Sequence, residues 1–89
     1  MNTAIKNHPV IVLHPVDSSQ IAALGHDPAI NTLAIQFAPK KDGTPGSIYH
    51  YANFDTVAFA AFKAAESIGS HFGKFIKNES ERYPFVKIS

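Results

Sequence analysis

Two tyrosines one residue apart, Tyr49-His50-Tyr51, lie in a short run that reads as a strand, Ser47-Ile48-Tyr49-His50-Tyr51. Strand side chains alternate between faces, so both phenols share one face, and Ile48, His50 and Ala52 take the other. Rings placed this way either close a core with their hydroxyls hydrogen-bonded, or form a platform on which a base or a partner stacks. A packed pair is the usual outcome in a small sheet, and it leaves His50 outside. Packed rings whose hydroxyls reach Ser18 or Ser19 would account for both the tyrosine and the serine pair.

The cations fall into two groups, Lys40-Lys41 and Lys74, Lys77 and Arg82. Spacing of three puts Lys74 and Lys77 on one helix face, which suits following a phosphate backbone. The competing reading is a solvated outer face near a helix C-terminus, with Glu79 and Glu81 diluting the positive field. Other chemistry finds little support. The five histidines form no His-x-His or helical His-x-x-x-His pair, so no metal site is expected. Ser18 or Ser19, His26 or His50, and Asp17 or Asp27 can be drawn as a triad. No nucleophile elbow, phosphate-binding glycine loop or carboxylate pair supports that drawing, and neither catalysis nor a cofactor is expected.

Size sets the scale on which these residues are positioned. A chain of 89 residues makes one domain, and a chain this short buries roughly 60% of its unfolded surface. Its 45% apolar and 17% charged content is globular in character. A net charge of +1 argues against strong non-specific binding to nucleic acid. No apolar run approaches the ~20 residues of a membrane helix. The Val10–Leu13 run is too short for a signal peptide. Without cysteine there is no disulfide or thiolate site, and a cytoplasmic, reducing location is the easiest fit.

Residues 1–9 read as a loose leader, and Val10–Leu13, between two His-Pro steps, as a short edge strand. Val16–Ile21 can form a second strand, and Leu24-Gly25-His26-Asp27-Pro28 carries turn chemistry. Thr32–Phe37 alternates cleanly, with Leu33, Ile35 and Phe37 on one face. Pro39–Gly46 is a long hairpin loop returning the chain antiparallel into the tyrosine strand. Asp55 is placed to cap a helix from about Thr56 to Glu66. That helix has a wide alanine-rich apolar arc, with Phe59 among its polar residues. Gly69 and Ser70 then mark the boundary with a second helix carrying Phe72, Phe75 and Ile76. Arg82–Ile88 closes the chain in an extended tail (84–89) that can form a last short strand.

In its order of motifs the chain resembles the KTSC domain, a short family named for its place at the C-terminus of some lysyl-tRNA synthetases. The family also occurs alone in small bacterial and phage proteins. The opening Val-x-Ser-Ser-x-Ile is Val16, Ser18, Ser19 and Ile21, and the Gly-Tyr-Asp step is Gly25-His26-Asp27, with histidine for tyrosine. The leucine-rich strand is represented by Leu33, Ile35 and Phe37, and the central Tyr-x-Tyr by Tyr49 and Tyr51. Phe54-Asp55 stands in place of Val-Pro. Phe59, Phe62, Ala65-Glu66-Ser67-Ile68-Gly69, Phe72 and Ile76 follow in family order, with Gly73 where asparagine is frequent. The similarity spans roughly residues 16–83 and leaves the leader 1–15 and the loop 39–46 outside the pattern.

The expected fold is α+β: a small antiparallel sheet of three or four strands covered on one face by two C-terminal helices. The resemblance implies a non-catalytic binding module whose first candidate ligand is RNA or a small nucleotide. Tyr49 and Tyr51, framed by Ser18 and Ser19, would stack or frame the ligand, and Lys74, Lys77 and Arg82 would contact phosphate. The alternative is a protein-interaction module, a phage or bacterial effector binding a host protein, or a homodimer rather than a monomer. Phe59, the edge strand and the Pro39–Gly46 loop would then carry the contact. An aromatic at Phe59 is equally suited to packing against the N-terminal segment.

Overall fold

A computed structural model describes residues 10–89; the expected leader 1–9 lies outside the described residues. The elements are β1 (His14–Pro15), β2 (Ile21–Asp27), β3 (Thr32–Phe37), β4 (Ile48–Tyr51), α1 (Thr56–Lys63), α2 (Ile68–Phe75) and β5 (Phe85–Lys87). The strands form one antiparallel sheet in chain order, β1-β2-β3-β4-β5. The fold is therefore α+β, with five strands where three or four were expected.

Register decides which residues share a face. Leu24, Ile35 and Tyr49 lie in one row across the sheet, and His26, Leu33 and Tyr51 in a neighbouring row. Because alternate residues share a face, both rows belong to the same face, and the tyrosines join Leu33 and Ile35. A single core cluster joins Ile21, Leu24, Leu33, Ile35 and Tyr51 to Phe54, to Phe62 of α1 and to Ile68, Phe72 and Ile76 of α2 and its end. Between these two rows runs a third, Gly25, Ala34 and His50, on the opposite face. That face was expected to be open at His50, yet His50 is buried.

Several boundaries differ from expectation for identifiable reasons. Val10–Leu13 is not a strand; pairing is confined to His14 and Pro15, opposite Leu24 and Ala23. The segment instead crosses close over β2 with Ile11 buried, and a Cβ at Gly25 would overlap the Val12 carbonyl oxygen. Gly25 is thus a site of close backbone approach inside a strand, not part of a turn. The turn comes later, where the Ile30 amide donates to the Asp27 carbonyl and Asn31 adopts a φ of 46°. Val16–Ile21 is not a strand either. Ser18 Oγ accepts from the Gln20 and Ile21 amides at 3.2 and 3.3 Å, bending the chain before β2 begins.

Asp55 caps α1, its side chain accepting from the Ala58 amide at 2.8 Å. The helix stops at Lys63 because Ser67, not Ser70, caps α2, accepting from the Ser70 amide at 3.2 Å. Most of the expected alanine-rich arc is solvated, with Val57 78% exposed, while Phe59 is packed. Alanine is neutral on this question, so the arc was assigned on weak signals; the large Phe59 and Phe62 set the rotation of α1. The tail returns as β5, pairing Phe85 with Tyr51 and Lys87 with Tyr49.

Candidate functional site

The tyrosine face is partly core and partly the wall of a groove. Tyr51 is buried and Tyr49 half-buried, and their ring centroids are 6.4 Å apart. Phe37 meets Tyr49 edge-on at 5.7 Å and Phe72 at 5.4 Å, and Phe72 meets Tyr51 at 6.0 Å. Phe85 from β5 lies 5.7 Å from both tyrosines. These five rings line a groove of about 780 Å³ between the sheet and α2. Offset and edge-on arrangements at such distances are the favourable ones for aromatic pairs, so the cluster holds its own geometry.

Neither tyrosine hydroxyl has a hydrogen-bond partner among the described residues. Among the described residues no buried side-chain oxygen is left without a partner either, so the Tyr51 hydroxyl keeps an opening to solvent, and the groove is the cavity it lines. Burial, and then the neighbouring Tyr49 phenol, push the Tyr51 pKa up to about 12. Tyr51 therefore presents a neutral hydroxyl to the groove at any ordinary pH.

The other expected site residues separate in space. Lys77 lines the aromatic groove, but Lys74 and Arg82 line a different one, with His71, Phe75 and Tyr83, on another side of α2. Three-residue spacing on an exposed helix end turned out to span two surfaces. Arg82 lies over the Tyr83 ring at 5.2 Å. Ser18 and Ser19 do not reach the tyrosines. They line a polar cleft at the start of α2, where Ser18 holds its own turn. Phe59 stacks on His26 at 4.8 Å and 14°, with Lys63 Nζ 5.5 Å from its ring centre, and lines a cavity shared with Ile11 and Val12. Among the described residues no cluster of three His, Asp or Glu side chains could hold a metal ion, and no helix is long and apolar enough to cross a membrane.

Sequence reasoning missed Lys40, Phe85, Gln20 and Gly73 as groove residues. Lys40 sits in a loop whose path alternation cannot foretell. Phe85 carried a usable signal: it opens a short β-branched and aromatic run after Pro84, the sign of a closing strand. Lys87, opposite Tyr49 in register, stands on the same face without lining the groove.

Comparison with known proteins agrees with this architecture. The family model of the KTSC domain matches residues 17–83. A protein of Tsukamurella paurometabola is 37% identical over 65 residues, covering 73% of this chain and 88% of the relative. Among solved structures, the crystal structure of a KTSC domain protein from Yersinia pestis matches with a TM-score of 0.73 and 31% sequence identity. That match covers 90% of this chain and all of the other.

Proposed function

The chain belongs to the KTSC domain family, and we propose that it is a non-catalytic binding module whose aromatic groove takes a nucleotide, free or within a short single strand of RNA. The observation that carries this reading is the meeting, in one groove, of five aromatic rings with two unpartnered phenol hydroxyls and two lysines. Aromatic surfaces offer stacking to a base whatever its identity, worth about 1–3 kcal/mol per base. Lysines at the same cavity suit the phosphate. The groove's volume falls within the range of about 300–1,000 Å³ common for small-molecule sites. With a net charge of +1, the favoured target is a short or single nucleotide unit, not a long duplex.

The alternative, a protein contact centred on Phe59, has less support. That ring is half-buried and stacked on His26, a role that packing alone explains. The expected edge strand Val10–Leu13 is not a strand, and Ile11 and the Val12 backbone pack against Gly25 while Val10 and Val12 keep exposed side chains.

An amide-shift titration tests the reading, using a short single-stranded RNA and, separately, nucleoside monophosphates. Shifts centred on Tyr49, Tyr51, Gly73 and Lys77 are expected, and whether RNA or the free nucleotide binds tighter identifies the source of the base. Shifts confined to residues around Phe59, or none with either probe, would overturn it.

A further inference from the structure

Gly69, Phe72 and Gly73 of α2 line the groove, with Gly69 and Gly73 four apart and so stacked on one side of the helix, and Lys77 joins them from the turn after its end. The two glycines differ in what their bareness serves. At Gly69 a Cβ would stand 3.1 Å from Gln20 Oε1, so the space is filled by a side chain of the same molecule. At Gly73 a Cβ would meet nothing within 4 Å. Its backbone is ordinary helix, since Gly43 is the one described glycine with a positive φ. Neither packing nor conformation requires glycine there, although glycine inside a helix is less favourable than alanine. That cost leaves the wall of the groove bare opposite the aromatic cluster.

A second feature points into the same space. Tyr51 is 6% exposed, lines the groove, and has no hydrogen-bond partner for its hydroxyl within the described chain. The ring is buried while its hydroxyl opens onto the groove, so a ligand that accepts from that hydroxyl takes the place of solvent there and gains selectivity over one that does not.

We propose that Gly73 is the slot through which a planar ring bearing a hydrogen-bond acceptor at its edge reaches the Tyr51 hydroxyl, so that Gly73 and Tyr51 together determine which ring the groove accepts. This rests on the nucleotide reading above, in which the ring is the base. The helix backbone at Gly73 covers one face of the ring and the tyrosines contact the other. Tyr51 donates to the ring edge, and Lys77, in the turn that follows α2, is placed for the phosphate. Because the phenol stays protonated, its donor character does not vary over the pH range in which nucleotides are ordinarily bound.

The test compares the four nucleoside 5′-monophosphates with ribose 5-phosphate, by amide-shift titration of the whole chain and of three variants. Nucleotides are expected to bind the unmodified chain, and ribose 5-phosphate to bind more weakly. Gly73→Leu fills the slot and should weaken nucleotide binding by at least about tenfold without lowering the melting temperature. Gly73→Ala should raise the melting temperature and weaken binding by a smaller factor, which keeps the test decisive if the leucine variant folds poorly. Tyr51→Phe should cost about fivefold, the worth of one neutral hydrogen bond. Nucleotide binding unchanged in Gly73→Leu, Gly73→Ala and Tyr51→Phe would overturn the slot and leave the nucleotide reading standing. Equal binding of ribose 5-phosphate would overturn the ring and leave a phosphate site. No binding of any nucleotide to the unmodified chain would remove the nucleotide reading, and the slot with it.

Discussion

Removing one lysine at a time, and measuring RNA affinity against salt, separates the two cationic surfaces that flank α2. Lys40 and Lys77 line the aromatic groove, whereas Lys74 and Arg82 line another. Each phosphate neutralised on a single strand contributes about −0.7 to the slope of log affinity against log salt. Two groove lysines then give a slope of about −1.4, so that raising salt from about 50 to about 200 mM weakens binding about sevenfold. Lys77→Ala should halve the slope to about −0.7 and reduce the same loss to about threefold. Lys74→Ala and Arg82→Ala should leave the slope as it was, because they line a different cavity from the one proposed for RNA. Fluorescence anisotropy of a labelled short single-stranded RNA, at four or five salt concentrations, gives each slope directly. A slope that falls for Lys74→Ala or Arg82→Ala but not for Lys77→Ala would place the RNA on the other side of the helix. That result would refute the assignment of the groove.

Three further outcomes follow from the packing. Gly25→Ala should destabilise the fold by about 1–3 kcal/mol in a denaturant titration, because the new methyl overlaps the Val12 carbonyl and must lift the N-terminal segment off β2. A neutral result would mean that the Ile11–Val12 crossing contributes nothing to stability. Asp55→Ala removes the cap of α1 and should cost about 1 kcal/mol by the same measurement, with Asp55→Asn retaining most of the stability. In an alkaline titration followed by tyrosinate absorbance, one of the three tyrosines, Tyr51, should ionise near 12. Its folded pKa lies above the unfolded value of about 10, so its stabilising contribution is whole below that pH and is lost as pH rises toward 12. Tyr51→Phe should abolish this late step, and a chain with no tyrosinate step near 12 would contradict the burial of Tyr51.

How much was legible depends on whether a feature was local. Thr32–Phe37 alternates, and it is a strand with Leu33 and Ile35 wholly buried. Asp55 precedes a helical run, and it is the cap. Both signals act over a few residues and need no partner to be read. By contrast, Leu24–Asp27 looked like a turn because glycine, histidine and aspartate are turn residues in isolation. It is a strand because it pairs along its length with β3, and it carries glycine because the N-terminal segment crosses over Gly25, where only a hydrogen fits. Ser70 was expected to cap the second helix, but Ser67 does, and the helix thereby gains Ile68, which joins Phe72 in the core. Alanine in α1 said little about orientation, since it is at home on either side of a helix.

The same division applies to the candidate site. By itself the sequence determined that Tyr49 and Tyr51 share a face, because the two-residue period of a strand is built into the backbone. It also determined that the chain follows the motif order of its family and carries a net charge of only +1. Only the tertiary structure decided that this face turns toward α2, that β5 returns to set Phe85 beside both rings, and that Lys77 joins them while Lys74 does not. Those outcomes depend on contacts between residues far apart in the chain. Side-chain spacing fixes a direction only relative to its own element, and packing sets how the elements face one another.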